Sequence, residues 1–513
     1  MKAALARLGT ALLLAVILGS APLLAQAGPW VPIGSRLDGL ALWLSDEGGL
    51  RSLDPLTRPW RLAAVRQAAA GQDSLALRPS AQQVLGWLRA ELVRAADSSA
   101  VTVELGAAAY RDGRRETFRE GGASGGGAMG GIWASLSRGP LVAVINPAFE
   151  QRLKDDPEFT GNIDRFTAGR LQTAYVAATG SLGDVVLGRM ARQWGPALFQ
   201  GLQLSPSAYA QDQLTAAVRL GHFELSTLAQ RLDDSAAAPV PINRYFFAHR
   251  LTINAGRGVW LAFSETGTYG GPGRGFEPAF FAPLGLALLA EVNETRRVNA
   301  MWGAELHAPL GRGLVFATQL VIDDIQVDND TLTDKRPSSG GFTATLGGRL
   351  PGASHWTLGY TRVGALTYRN SADPWEVYAL QGVGLARNFS DYDQAMLRVE
   401  TRPAPAWTAA LDLSYIRQGS GDFRQPFPPD SVLALPGQGF LVDPVRYAPA
   451  ARLTFAGEPW RGVMVNGELG VNGAATGAAR GIAALSVSLQ FDALRGAFGT
   501  PWAAVERVSP WSR

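Results

Sequence analysis

From about residue 99 to residue 492 the chain alternates apolar and polar positions with a period of two. Val101, Val103 and Leu105 alternate with Thr102, Glu104 and Gly106, and Leu397, Val399 and Thr401 alternate with Met396, Arg398, Glu400 and Arg402. The same rhythm runs through Trp407, Ala409, Leu411, Leu413 and Tyr415, and through Leu485, Val487, Leu489 and Phe491. Successive side chains of a strand point to opposite faces, so each segment offers one apolar and one polar surface. One such segment suits a half-buried strand of a soluble sheet. A long series of them, about ten residues each, is the pattern of a transmembrane β-barrel.

The connections support that reading. Short ones fall near Gly139-Pro140, Gly180 to Gly183, Gly221-His222, Ala255 to Gly258, Pro309 to Gly313, Pro351-Gly352, Pro403 to Pro405 and Gly457 to Pro459. Long ones fall near 111–130, 150–168, 191–212, 232–242, 269–295, 326–340, 369–390, 418–445 and 472–479. Short and long connections alternate, as they do in barrels with tight turns at one end and long loops at the other. The fold class this predicts is an all-β transmembrane barrel of about 18 antiparallel strands, with both ends on the short-turn side. Segments 199–205 and 376–386 look strand-like, but strand parity assigns them to external loops.

Ahead of the strands the period is helical. Leu37, Leu40, Ala41 and Leu44 share a face that ends at Gly48-Gly49. A second segment is expected to be capped by Thr57, with Pro59 in its first turn and Gly71 ending it; a third opens at Pro79-Ser80 and carries Val84, Leu88 and Leu92. The extreme N-terminus has Lys2 and Arg7, then the apolar run Ala11 to Leu18, then Ala25-Gln26-Ala27, which together read as a secretory leader. The expected organisation is a signal peptide over 1–27, a periplasmic helical module over 28–98, an outer-membrane barrel over 99–492 and a tail over 493–513. The last strand alternates and reaches an aromatic, Phe491, in the manner of the signal read by the barrel-assembly machinery. The apolar stretch Phe280 to Ala290 contains Pro283 and is too short to span a bilayer as a helix, so it reads as a loop helix or plug.

Composition narrows the chemistry. The chain holds 60 Gly and 14 Trp but no Cys and only 4 His, which excludes thiol catalysis, disulfides and zinc-thiolate sites. The formal charge of +3 loses Lys2 and Arg7 with the leader, too little to argue for a nucleic-acid partner. His222, His249, His307 and His355 are scattered, with no metal-site spacing, and His249 near Ser264 is the nearest approach to a hydrolase pair. The glycine-rich run Gly271-Pro272-Gly273-Arg274-Gly275-Phe276 opens no βαβ unit and reads as a loop. Asp323, Asp324, Asp328, Asn329 and Asp330 offer the oxygen ligands that suit Ca²⁺, but without the Gly and Glu of an EF-hand they read first as a solvated loop. No cofactor is expected. Trp356, Trp375, Trp407 and Trp460 lie near strand ends, where a membrane-interface girdle accounts for them. Trp194 differs, because it lies between strands among polar neighbours in Arg192-Gln193-Trp194-Gly195-Pro196, a setting that suits stacking on a sugar ring.

At this loop the chain resembles the Wzi-like capsule-assembly proteins of the outer membrane. The resemblance starts at Leu187-Gly188-Arg189 and the Trp-Gly-Pro motif and runs through Gly201 to Ser205, His249-Arg250-Leu251 and Gly270 to Gly275. It extends to Phe316-Ala317-Thr318-Gln319 with Asp323-Asp324, and the helical region matches in Arg36-Leu37 through Gly48-Gly49 and in Pro59-Trp60. Gln193 stands where that family often has an aromatic residue. The resemblance implies an eighteen-stranded, occluded barrel with a periplasmic helical bundle. It further implies a non-enzymatic, lectin-like role in holding capsular polysaccharide at the cell surface of a diderm bacterium. Arg192, Trp194, Asp323 and Asp324 are the expected ligand-binding residues. Expected partners are surface polysaccharide, outer-membrane lipid with lipopolysaccharide, and the assembly machinery, around a monomer. The alternative is a porin, motivated by the polar lumen that Glu104, Arg398, Glu400, Asp412 and Glu468 would line.

Overall fold

A computed structural model describes residues 28–95, 100–112, 123–156, 159, 161, 168–208, 210–233, 240–283, 287, 297–325, 336–370, 373–473 and 479–494. The leader, most of the tail, and Asp328, Asn329 and Asp330 lie outside the described residues.

Eighteen strands form a closed antiparallel barrel. They are β1 (Ala100–Arg111), β2 (Gly125–Arg138), β3 (Leu141–Glu150), β4 (Gly169–Thr179), β5 (Gly183–Met190) and β6 (Gln211–Leu220). Next come β7 (Phe223–Arg231), β8 (Ile242–Gly256), β9 (Val259–Pro272), β10 (Asn299–Gly311), β11 (Leu314–Asp324) and β12 (Ser339–Leu350). The set ends with β13 (Ser354–Val363), β14 (Tyr392–Ala404), β15 (Trp407–Gln418), β16 (Arg446–Trp460), β17 (Val463–Asn472) and β18 (Arg480–Leu494). Closure comes from β1, which pairs with β2 through Val103↔Ile132 and with β18 through Val103↔Phe491. Turns of two or three residues alternate with long loops around the ring, as the connection lengths predict.

The alternation resolves into an outside and an inside. Leu485, Val487, Leu489 and Phe491 of β18 are exposed on the outer wall, while Ser488 between them is buried. On β15, Leu411, Leu413 and Tyr415 face out and Asp412 faces in, where Arg398 of β14 grips it at 2.7 and 2.8 Å. A lipid-facing apolar belt around a polar lumen is the arrangement that satisfies every backbone group in hydrocarbon without a sheet edge. Trp302 and Trp460 sit on the outer surface, Trp460 with 72% of its area open. Trp30, Trp43, Trp60, Trp133 and Trp194 are instead buried, so the tryptophan count serves the interior as well as the membrane girdle.

Among the described residues, three helices precede the barrel: α1 (Arg36–Asp46), α2 (Leu62–Gly71) and α3 (Pro79–Arg94). Ser35 caps α1 by accepting the Asp38 N–H at 3.2 Å, and Pro79 occupies the first turn of α3, where its missing N–H costs nothing. Their apolar faces meet in a core of Leu37, Leu40, Trp43, Leu44, Val65, Val84 and Leu88. Thr57 does not cap the second helix. It forms a two-residue strand with Arg58, and α2 starts only after Arg61, whose backbone bridges to Trp30.

The module sits in the short-turn mouth and is clamped there by charge. Buried Glu47 takes Arg78 at 2.6 Å and Arg349 of β12 at 3.0 Å, while Arg78 also donates to the Leu350 and Ser354 carbonyls. Arg36 reaches Glu458 of β16 at 3.0 Å, and Arg61 reaches Asp184 of β5 at 3.6 Å. Three carboxylates and four guanidinium groups thus tie the helices to three sides of the wall.

Asp46 ends α1 facing the lumen, 3.9 Å from His355, with Glu400 opposite. Burial and the Glu400 charge push its pKa up to about 7, Glu47 adds to this, and Arg58 partly offsets it. A carboxyl with a folded pKa above its unfolded value binds its proton more tightly when folded, so stability falls as pH rises from about 4 to about 7. Amide exchange in α1, corrected for its intrinsic pH dependence, is therefore expected to quicken between pH 5 and pH 8. Asp46→Asn should abolish that change, and wild-type protection that stays constant over the same range would contradict the assignment.

Candidate functional site: a lumen closed by inward loops

Loops 191–210 and 364–391 leave the long-loop end of the barrel and turn inward, so the segments expected as external loops instead fill the lumen. In the first, Gln193–Trp194 pairs antiparallel with Thr57–Arg58 of the helical module, and the Gly195 N–H donates to the Leu56 carbonyl at 2.8 Å. Gly195 has φ +105°, and a Cβ there would lie 2.5 Å from Gln319 Oε1, so both conformation and space call for glycine. The Trp194 N–H donates to the Leu204 carbonyl at 3.0 Å, closing the loop on itself.

Beneath the Trp194 ring, at 4.9 Å from its centroid, lies the Arg250 guanidinium. Arg250 is wholly buried and donates to both oxygens of equally buried Glu305, at 2.6 and 2.7 Å. Gln319 Nε2 donates to Glu305 at 3.0 Å and to the Trp194 carbonyl at 3.3 Å, while Gln319 Oε1 accepts the Leu202 N–H at 2.7 Å. A buried charge is tolerable only when paired and hydrogen-bonded, and this bidentate pair meets that condition. A desolvated cation–π contact adds about 2 kcal/mol at its best. The Trp-Gly-Pro segment therefore works as a clasp joining the helical module, the wall and the loop.

The second loop locks onto the first. Tyr368 donates its hydroxyl to the Leu202 carbonyl at 2.9 Å, Tyr378 donates to the Gln203 carbonyl at 2.5 Å, and the two rings stack 5.7 Å apart. Burial holds both phenols above their ordinary pKa, so they remain neutral donors. Arg244 of β8 gathers the carbonyls of Trp375, Val377 and Ala379. Leu202, Leu204, Phe246, Met301, Val363 and Tyr378 then pack into an apolar core inside the barrel.

Each expected ligand-binding residue has a definite place. Arg192 donates to Gln213 at 2.7 Å and Thr215 at 3.1 Å on β6, and burial lowers its pKa to about 10. Trp194 is 4% exposed, with Arg250 on one face. Asp323 accepts the Tyr368 N–H at 2.8 Å, anchoring the second loop, and Asp324 is exposed at the long-loop end. Trp194 and Asp323 are joined through Gln319, Leu202 and Tyr368, whereas Arg192 bonds to a different part of the wall. Among the described residues no group of three or more His, Cys, Asp or Glu is placed to hold a metal. His249 and Ser264 lie on opposite faces of the wall. The His249 Nε2–H donates outward to the Phe280 carbonyl at 2.9 Å, and Ser264 donates inward to Gln203 at 2.5 Å. Glu305 is the site residue sequence reasoning missed; its only signal is an acid at an inward position of β10.

Among the described residues, two sizeable cavities lie in the lumen. One, about 580 Å³, follows the inner wall of β3 to β6 down to Trp30 and Tyr175. The other, about 380 Å³, lies between α1 and the wall of β13 to β18. The ions of the second pair with each other: Arg398 with Asp412, Arg402 with Glu400 at 2.9 Å and Arg452 with Glu468 at 3.1 Å.

No protein-family profile and no curated protein matches the sequence. Solved structures do match in fold. Wzi of Escherichia coli, an outer-membrane protein involved in group 1 capsule assembly and described as a carbohydrate-binding β-barrel, aligns with a TM-score of 0.65 at 15% identity, over 91% of this chain and 99% of its own. OccD3 of Pseudomonas aeruginosa aligns at 0.45 and 10% identity over 78% of this chain and 93% of its own. OprD of the same organism gives 0.45 and 10%, over 78% and 97%. The fold resemblance to Wzi read from the Trp-Gly-Pro loop thus stands. A closed barrel with an apolar belt belongs in the outer membrane of a diderm bacterium.

Glu305→Gln would leave Arg250 buried without its counter-ion, a change that costs about 3–5 kcal/mol. It is expected to lower the thermal midpoint and to speed amide exchange over 194–204, while Arg250→Met with Glu305→Gln recovers most of the loss. Unchanged exchange in the single variant would refute the clasp.

Proposed function

We propose that this chain is a non-enzymatic outer-membrane protein that binds surface polysaccharide, in the manner of a lectin, during capsule assembly. The observation that carries the reading is the apolar core inside the lumen, built from the protein's own long loops. A conduit is poorly served by a dry core, whereas a rigid platform of loops at the cell surface is well served by one. Barrels of this class keep short turns on the periplasmic side and long loops outside, so the helical module faces the periplasm and the loop platform faces the capsule. The likeness to Wzi supports the same reading, although likeness of fold does not by itself carry function.

In this reading Arg192, Trp194 and Asp323 serve sugar binding by holding the inward loops in one conformation, and Asp324 lies at the rim that meets the glycan. The outer apolar belt contacts lipid and lipopolysaccharide, β18 carries the segment read by the assembly machinery, and the barrel acts as a monomer. A strain lacking the protein is expected to shed its capsule into the medium while producing a normal total amount. Re-expression should restore attachment; capsule that stays attached in the deletion strain would defeat the proposal.

A solute channel is the second reading, and the specific observation favouring it is the cavity beside Arg398, Glu400, Asp412 and Glu468. Swelling of proteoliposomes in small neutral sugars separates the two. Influx above the lipid control favours the channel, and its absence favours the binding protein.

A further inference from the structure

The strand register stacks three outward-facing rows on β13 to β16 near the long-loop end. The lowest is Leu358, Leu397, Leu413 and Ala451, paired in turn across the four strands. The next is Tyr360, Ala395, Tyr415 and Pro449, so Ala395 leaves a hollow between two exposed tyrosines. The uppermost is Arg362, Asp393, Arg417 and Tyr447. Each row lies about 7 Å further along the strands than the one below it. The two lower rows enclose an open groove of about 640 Å³, lined by Leu358, Ala395, Leu397, Leu413, Tyr415 and Pro449. In the top row Arg417 donates to both oxygens of Asp393, from Nε at 3.0 Å, and the Tyr360 hydroxyl donates to the same carboxylate at 2.9 Å. That acid and that guanidinium cancel. Arg362 lies over the Phe440 ring, 3.7 Å from its centroid, and pairs with no carboxylate among the described residues. Two arginines against one aspartate leave the row net positive, and the uncancelled charge is that of Arg362.

We propose that this groove binds a phosphorylated, multiply acylated glycolipid of the outer leaflet, a lipid A, with acyl chains in the groove and a phosphate on Arg362. The inference rests on the lipid contact proposed above for the outer belt and does not depend on polysaccharide binding. Tyrosines at the edge of a barrel's apolar belt mark the membrane–water interface, so the tyrosine row sets the depth. The leucine row then lies among acyl chains and the arginine row among headgroups. Four strands spaced at about 4.8 Å make the groove about 14 Å across, room for several chains side by side. Arg362 is exposed, so its N–H groups are open to an anion, and a guanidinium is the side chain best matched to phosphate. Elsewhere the chain covers its own outer wall: Phe247 of β8 and Tyr269 of β9 pack on Phe280, with centroids 5.2 and 4.8 Å away. Ala395 and Tyr415 stay exposed, so a lipid can reach the groove.

The test uses the full chain, stripped of lipid in detergent and checked for a folded barrel by its heat-dependent gel mobility. Diphosphorylated hexa-acyl lipid A, its dephosphorylated form and phosphatidylglycerol are titrated separately, with the bound lipid counted by native mass spectrometry. Diphosphorylated lipid A is expected to bind about tenfold more tightly than either of the others. Arg362→Gln should weaken it about fivefold while leaving the dephosphorylated form unchanged. Ala395→Trp, which fills the hollow between the tyrosines, should weaken both forms of lipid A. Leu187→Trp, on the outer wall of β5, should alter neither. All these positions face outward, so the interior core stays intact in each variant. If wild type and every variant retain lipid A alike, the contact belongs to the belt at large and the groove is not a site. Equal affinity for the two forms of lipid A would overturn the phosphate on Arg362, and phosphatidylglycerol bound as tightly would overturn the glycolipid. Capsule attachment is a separate readout, so the groove can fail while the polysaccharide reading stands, and the reverse.

Discussion

Arg250 sits inside a membrane barrel with no access to water, and only the bidentate grip of Glu305 makes that position tenable. The pair is expensive to desolvate and strongly directional, so it fixes what can lie above it. What lies above it is the face of Trp194. Gln319, bonded to the same carboxylate, passes the constraint to the backbone of loop 191–210 at both Trp194 and Leu202. From Leu202 it continues through the Tyr368 hydroxyl into loop 364–391 and on to Asp323 of the wall. A single buried ion pair thus sets the conformation of two long loops and, through Leu56 and Thr57, of the helical module below them.

This arrangement reverses what a barrel of eighteen strands ordinarily does with its interior. A ring of this size leaves space that water fills unless the chain supplies something else. Here the polar wall of β7 to β13 receives an apolar core brought in by loops, and the wall of β14 to β18 keeps its paired charges around residual volume. The helices close the short-turn mouth with their own core and a rim of arginine–carboxylate contacts. Loops therefore fill space that a channel would leave open, and the larger remaining cavities are one lined by ion pairs and one floored by aromatic rings.

Much of the fold was legible from residues alone because lipid enforces period two so strictly. Leu411, Leu413 and Tyr415 must face hydrocarbon, and Asp412 must not, so each strand declares its faces. Turn glycines and prolines marked the connections, and parity placed the count at about eighteen. The direction of the long loops was not legible, since a segment such as 199–205 has the same local pattern whether it lies outside or folds in. The site was legible only in part. Trp194 and Gly195 stood out as a motif, yet their partners Arg250, Glu305 and Gln319 come from three strands that only the register of strand pairing brings together. For the same reason Thr57 looked like a helix cap: its actual partner, Trp194, lies far along the chain. The burial of Trp30, Trp43, Trp60 and Trp133 was not legible, because packing against a plug leaves no periodic trace.

The most direct measurement of a lumen closed by its own loops is the conductance of the intact protein in a planar bilayer. With the loop core and helical module in place, no steady conductance above the bare membrane is expected. A large, steady, single-step conductance from folded, full-length protein would contradict the closed lumen and with it the reading of this barrel as a binding platform.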